Sequence, residues 1–253
     1  MSSVALSLLI LTSVFGGSML GMVLRSILPR HHGDGESRDL VKTGIGFVGT
    51  MAALLLGLLV ASTKASYDSQ KNELTDMSAK IAYLDRALAI YGPDTRDARE
   101  KIRQGTAEIL SSVWPDDTGA TTKIVPPSAQ GQDIYNALHA LTPKSDAQKA
   151  VKDQAIAAAT EIGKMRWHLF EQSTTSISIP LLVIVVSWLT VVFVGFGFCA
   201  TRNATTVVTL FICALSVSSA LFLILEMDRP FQGVIRIQDT PLRAAWEHMG
   251  KDG

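Results

Sequence analysis

Four stretches of this chain are too long, too apolar and too free of charge to be left in water. Residues 4–24, 43–65, 177–200 and 205–225 each match the roughly 20 residues that a helix needs to cross a hydrocarbon layer. None has an ionisable side chain in its interior. Lipid offers the backbone no hydrogen bonds, so segments of this kind must be helical. Between the second and third stretches the composition reverses, and residues 66–175 are polar and alanine-rich. The partition predicts an all-α membrane protein: four transmembrane helices with an all-helical aqueous insert between the second and third spans. Its parts are residues 1–65 (spans one and two), 66–175 (insert), 176–228 (spans three and four) and 229–253 (an interfacial C-terminal tail). The N-terminus has no basic residue, and no small-residue cleavage pattern follows the first run, which argues against a cleaved signal peptide.

The second span has no helix breaker at its end. Beyond it, Tyr67, Leu74, Ile81 and Leu88 recur every seven residues, with Met77, Leu84 and Tyr91 three residues after the last three. Gln70 is the one miss in this pattern. One continuous helix from Asp39 to Tyr91 follows, roughly 75 Å long and half in lipid, stopped by Gly92-Pro93. Asp94 is the expected cap of the next helix, which carries Ile102, Ile109 and Leu110 on one side and is closed by Trp114-Pro115. Residues 116–130 read as a Gly/Pro/Thr-rich loop. A short helix with Ile134, Tyr135, Leu138 and Leu141 follows. After Thr142-Pro143 comes a long alanine-rich helix to about Gln172, capped by Thr142 or Ser145, with Val151, Ala155, Ile162 and Leu169 on one face. Spans three and four form a hairpin around the tight turn at residues 201–204.

Two features are candidate sites. In the second span Gly49, Ala53, Gly57 and Ala61 recur every four residues, and this small-residue ridge suits either tight helix packing or the lining of a narrow pore. At the end of the fourth span Glu226 and Asp228 lie at a helix C-terminus, where the macrodipole disfavours carboxylates. Arg229 is the nearest compensating charge, and Pro230 ends the helix near Asp228. Glu226, Asp228, Arg229 and Pro230 therefore read as a junction clamp at the membrane surface, with Asp68 or Glu73 as further partners for Arg229. Gly17 and Gly21 form a G-x-x-x-G pair in the first span.

Other classes find little support. With 23 basic and 23 acidic residues the chain carries no field that would draw nucleic acid. Spans without carboxylate, Lys or His argue against a proton relay or an ion-coupled carrier. Span hydroxyls such as Thr209, Ser216, Ser218 and Ser219 are expected to bond mostly to their own backbone. His31, His32, Asp34 and Glu36 in the first connector lack the fixed spacing of a metal site. Cys199 and Cys213 read as buried free thiols. There is no phosphate loop and no nucleophile–base pair, so neither an enzyme nor a cofactor is expected.

The order of two spans, insert and two spans, followed by Leu225-Glu226-Met227-Asp228-Arg229-Pro230-Phe231-Gln232-Gly233 and Pro241, resembles the bacterial bestrophin-like family, catalogued as domain of unknown function 4239. The family's glutamate-alanine-asparagine motif is replaced here by Met77-Ser78-Ala79-Lys80, so the role of its acidic residue does not carry over. The resemblance implies kinship with bestrophins, homo-oligomeric anion channels with a cytoplasmic helical domain and a pore lined by the second span. The charges lean the other way on sidedness: Arg25, Arg30, Arg38, Lys42 and Arg202 in the short connectors favour an insert outside the cytoplasm. The reading is a multi-pass protein of the bacterial inner membrane, a homo-oligomer in a lipid bilayer passing chloride or another small anion. The alternative is a non-conducting membrane scaffold or sensor whose helical insert binds a partner, a reading the Tyr67–Tyr91 seam supports.

Overall fold

The computed structural model describes residues 3–27, 35–115, 129–174 and 179–249. The regular structure among them is helical: α1 (Ser3–Ile27), α2 (Gly35–Tyr91), a 3₁₀ turn (Pro93–Thr95), α3 (Arg96–Val113), α4 (Ala129–Ala140), α5 (Asp146–Thr174), α6 (Ile179–Cys199), α7 (Ala204–Met227) and α8 (Thr240–Met249). The chain divides into two compact units, Met1–Ser66 with Ile177–Asp228, and Tyr67–Ser176 with Arg229–Gly253. His31, His32, Asp34, the Glu36 side chain and most of the 116–130 loop lie outside what is described.

The first unit holds α1, the N-terminal part of α2, α6 and α7. Among the described residues, four helices are long and apolar enough to cross a membrane: α1, α2, α6 and α7. Helix α1 packs on both α6 and α7. Its approach to α6 is set by glycine. A Cβ at Gly21 would collide with the backbone at Val194 and sit 2.8 Å from the Phe198 nitrogen, and one at Gly197 would strike the Ser18 carbonyl. At Gly17 it would lie 3.0 Å from a Thr190 methyl. The G-x-x-x-G pair of the first span is thus a groove for α6, and backbone contact replaces side-chain interdigitation.

The ends of these helices are tied by exchanged arginines. Arg25, in the last turn of α1, donates to the carbonyls of Cys199 (3.2 Å) and Ala200 at the end of α6. Arg202, in the following turn, donates to the Met22 carbonyl (3.1 Å) and the Ser26 hydroxyl (2.9 Å) of α1. Arg25 satisfies carbonyls left over at the negative end of α6, and Arg202 brings a positive charge to the last turns of α1. Most span hydroxyls bond within their own helix, as Thr209 does to Thr205, Ser216 to Ile212 and Ser219 to Leu215. Ser218 differs: buried, it donates to the Ser7 carbonyl of α1 at 2.7 Å. The cysteines are free thiols, and their burial is less than the sequence suggests, since Cys213 is exposed and Cys199 half-buried.

The second unit is built on the C-terminal part of α2. Leu74, Met77, Ile81, Leu84, Leu88 and Tyr91 are all buried, in one core with residues of α3, α4, α5 and α8. Gln70 is buried with them, so the polar miss keeps its place on the inward face. Asp85 and Arg99 join α2 to α3 through two parallel bonds, Nε–Oδ1 at 2.7 Å and Nη2–Oδ2 at 3.0 Å.

The break after α2 corrects one expectation. Asp94 does not cap α3; it lies in the 3₁₀ turn and pairs with Lys144 at 2.9 Å. The residue before α3 is Thr95, whose hydroxyl turns back to donate to the carbonyls of Leu88 and Gly92, both at 2.7 Å. The hydroxyl adds a second donor at the C-terminus of α2, where the same two carbonyls also accept the Gly92 amide (3.4 Å) and the Thr95 amide (3.2 Å). Gly92, at φ 124°, supplies the left-handed residue of the break. At α5 the choice falls on Ser145, whose Oγ accepts from the Gln148 amide (3.2 Å) while the Gln148 side chain accepts from the Lys144 amide (2.7 Å). This is a reciprocal capping arrangement. Lys152 donates to the carbonyls of His139 and Leu141 and so neutralises the end of α4.

Candidate functional site

The membrane-length part of α2 has two unlike faces. Ala52, Leu59 and Thr63 are buried, and they recur at the spacing of a single helix face. Ile45 fills the space that a Cβ at Gly195 of α6 would need, and a Cβ at Gly49 would lie 3.8 Å from a Val192 methyl. The other face has no cover within the subunit. Ala53, Gly57 and Ala61 are exposed, and a Cβ at Gly57 would meet nothing within 4 Å. Leu54 and Leu58 beside them are 63% and 62% exposed. Of the most apolar stretch of α2 only 11% is buried, against 39% in α1, 33% in α6 and 28% in α7. The ridge thus splits: Gly49 is half-buried against α6, while its other three members lie on the bare face.

Helix α1 packs on α6 and α7, and α2 contributes Ala52 and Leu59 to the core these helices share. An apolar helix face left uncovered on this scale is a surface for lipid or for another copy of the chain.

At the other candidate site, α7 ends at Met227, and the Asp228 amide donates to the Ile224 carbonyl at 3.0 Å. Glu226 is 3% exposed, Asp228 half-buried, Arg229 exposed and Pro230 buried. After Pro230 the chain makes turns and bends with no strand, despite its alternating residues. The Gln232 amide donates to the Arg229 carbonyl (2.9 Å), and the Ile237 amide to the Pro230 carbonyl (2.6 Å). Gly233, at φ 82°, supplies the left-handed residue that lets the chain double back.

This loop is pinned by a residue far away in sequence. The Trp114 indole donates to the Ile237 carbonyl at 2.9 Å, and its ring meets Phe231 edge-on at 5.8 Å. Phe231, Ile237, Leu242 and Met249 all join the core of the second unit. Helix α8, which carries the last two, is not legible in the hydropathy pattern. Arg103 of α3 lies over the Trp246 ring of α8 at 5.8 Å. The proline, phenylalanine and glycine of the motif thus each have a structural cause. Sequence reading missed Trp114 as their partner, because a tryptophan before a proline reads only as a helix stop.

Among the described residues, no group of three or more His, Cys, Asp or Glu side chains is placed to hold a metal ion.

The sequence matches the family described as Bestrophin-like domain over residues 12–242. No curated protein matches it. Among solved structures it is similar to a point variant of a bacterial bestrophin homolog from Klebsiella pneumoniae, at 15% identity and a TM-score of 0.71, with 100% of this chain and 97% of that one covered. A second variant of that homolog gives 13% identity and a TM-score of 0.67 over 96% of both chains. A structure described only as a membrane protein gives 13% identity and 0.70, over 94% of this chain and 95% of the other. At such identities the likeness is one of fold, and the fold agrees with the family match. The chain belongs to the bestrophin-like family.

Proposed function

We propose that this chain forms a homo-oligomeric, anion-permeable channel in a bacterial membrane, with α1, α2, α6 and α7 as its four spans. The observation that carries the reading is the bare face of α2. A helix with Ala53, Gly57 and Ala61 exposed has no partner within its own subunit, and a ring of copies would give it one. Small residues at that face let neighbouring backbones approach and leave an axial path between them. An apolar constriction of this kind gates by dewetting, while charged groups at its mouths set ion selectivity. The permeant species proposed is chloride or a similar small anion. Glu226, Asp228, Arg229 and Pro230 are proposed as a structural clamp at the membrane surface, without a conducting role.

The scaffold alternative rested on an open seam along Tyr67–Tyr91. Leu74 to Tyr91 of that seam are buried among the chain's own helices, which counts against an open partner surface there. The test is chloride efflux from liposomes carrying the purified protein, together with its symmetry by electron microscopy. A closed ring is expected, with flux above empty vesicles and Gly57→Trp reducing it. A monomer or two-fold dimer, or flux indifferent to Gly57→Trp, would refute the proposal.

A further inference from the structure

The second unit contains a cavity of about 470 Å³ that none of the foregoing uses. Its wall takes Ile81 and Leu84 from α2, Thr106 from α3, Tyr135 from α4, and Gly163 and Arg166 from α5. Cavities of ~300–1,000 Å³ hold small organic ligands. The space is made by missing side chains, because one glycine from each of α3, α4 and α5 lies in the wall. A Cβ at Gly131 or Gly163 would meet nothing within 4 Å.

The wall is apolar except at a few points, and the strongest of these is Arg166. Among the described residues its half-buried guanidinium has no hydrogen bond and no ion pair. Glu108, on the neighbouring helix, acts on it only through its field, raising the guanidinium pKa, while burial lowers it below its ordinary value. Arginine stays charged in proteins, so the wall carries a half-buried set of fork-shaped donors with no protein acceptor among the described residues. The hydroxyls of Thr106 and Thr160 are already bonded to the carbonyls of Ile102 and Ile156. Tyr135 adds a hydroxyl to the wall, its ring tilted by 51° to that of His139 with centroids 4.4 Å apart.

We infer that this cavity binds a small organic carboxylate, its apolar body among the isoleucines and glycines and its carboxyl group on the Arg166 fork. A carboxylate matches the planar guanidinium with two parallel bonds, which an inorganic halide cannot do. The apolar wall selects against small hydrated anions, because they would lose water without gaining contacts. The site is independent of the channel reading and stands if the protein does not conduct.

The experiment uses the full chain in lipid nanodiscs, with protein-free nanodiscs as blank. Binding of 4-phenylbutyrate is measured by saturation-transfer NMR and calorimetry, beside its neutral amide. The carboxylate is expected to bind at least about tenfold more tightly than the amide, the difference a charge-assisted fork makes. Arg166→Gln should abolish that preference. Gly163→Leu should abolish binding of both compounds while leaving the melting temperature unchanged or higher, since it fills open space and removes a helical glycine. Octanoate in the same assay separates a lipid-derived chain from a compact aromatic acid; tighter binding of either acid than its amide supports the site. Equal binding of acid and amide, binding unaffected by Gly163→Leu, or no binding at millimolar concentration would overturn the inference.

Discussion

The Asp85–Arg99 pair allows the sharpest test of how the second unit is held together. Its side chains are 8% and 17% exposed, and two parallel bonds join them across α2 and α3. In such a pair the loss of water roughly cancels the attraction, so the pair as a whole adds little net stability. Removing one partner is different, because the other charge stays behind without water. Arg99→Met leaves the more buried group, the Asp85 carboxylate, unpaired, at a cost of about 3–5 kcal/mol. For a chain of this size that is a fall in melting temperature on the order of 10 °C. Asp85→Asn should cost less, because Arg99 is more exposed and has a long stem that can carry its charge to water. The double variant Asp85→Leu with Arg99→Met should recover most of the loss, leaving about 1 kcal/mol or less. Thermal unfolding of the detergent-solubilised protein, followed by circular dichroism, reads all three. A double variant as unstable as Arg99→Met, or an Arg99→Met that melts with the parent, would refute the assignment of this pair as a mutually dependent buried unit.

Two further outcomes follow from the first unit and its exit. Gly197→Ala places a methyl on the Ser18 carbonyl, so α1 and α6 must separate, at a cost of about 1–3 kcal/mol. Gly57→Ala meets open space and should be neutral or stabilising by up to about 1 kcal/mol; equal melting temperatures for the two variants would exclude the glycine groove as the basis of α1–α6 packing. Arg229→Ala is expected to cost about 1 kcal/mol and to reduce the oligomer seen by size-exclusion chromatography, and unchanged elution with unchanged melting would dismiss the clamp.

Much of the architecture was legible because its signals are local. Charge-free runs of membrane length mark four helices, and all four form. The absence of a breaker predicts that the second passes straight on to Tyr91, and α2 does end there, because Gly92 and Pro93 cannot continue it. Pro230 likewise places the end of α7 within a residue. The seven-residue repeat identifies the inward face of the insert, including Gln70, which alternation alone would have placed outside. Misreadings fell where a side chain had two possible partners. Asp94 was the better cap by type, but Thr95 directly precedes α3 and turns its hydroxyl back to the end of α2, and Lys144 arrives from fifty residues away to take the Asp94 carboxylate.

What the chain alone determined is therefore a set of helices, their ends and the apolar face of each. Which faces meet was decided only in three dimensions. The glycines of α1 and α6 bring those helices into backbone contact, while one face of α2 stays uncovered, and no periodicity in α2 records that outcome. Trp114 gives the turn after Pro230 its partner, and the cavity beside Arg166 exists because glycines of three separate helices converge on it. These features depend on distances between residues far apart in sequence, and hydropathy and spacing carry no such information.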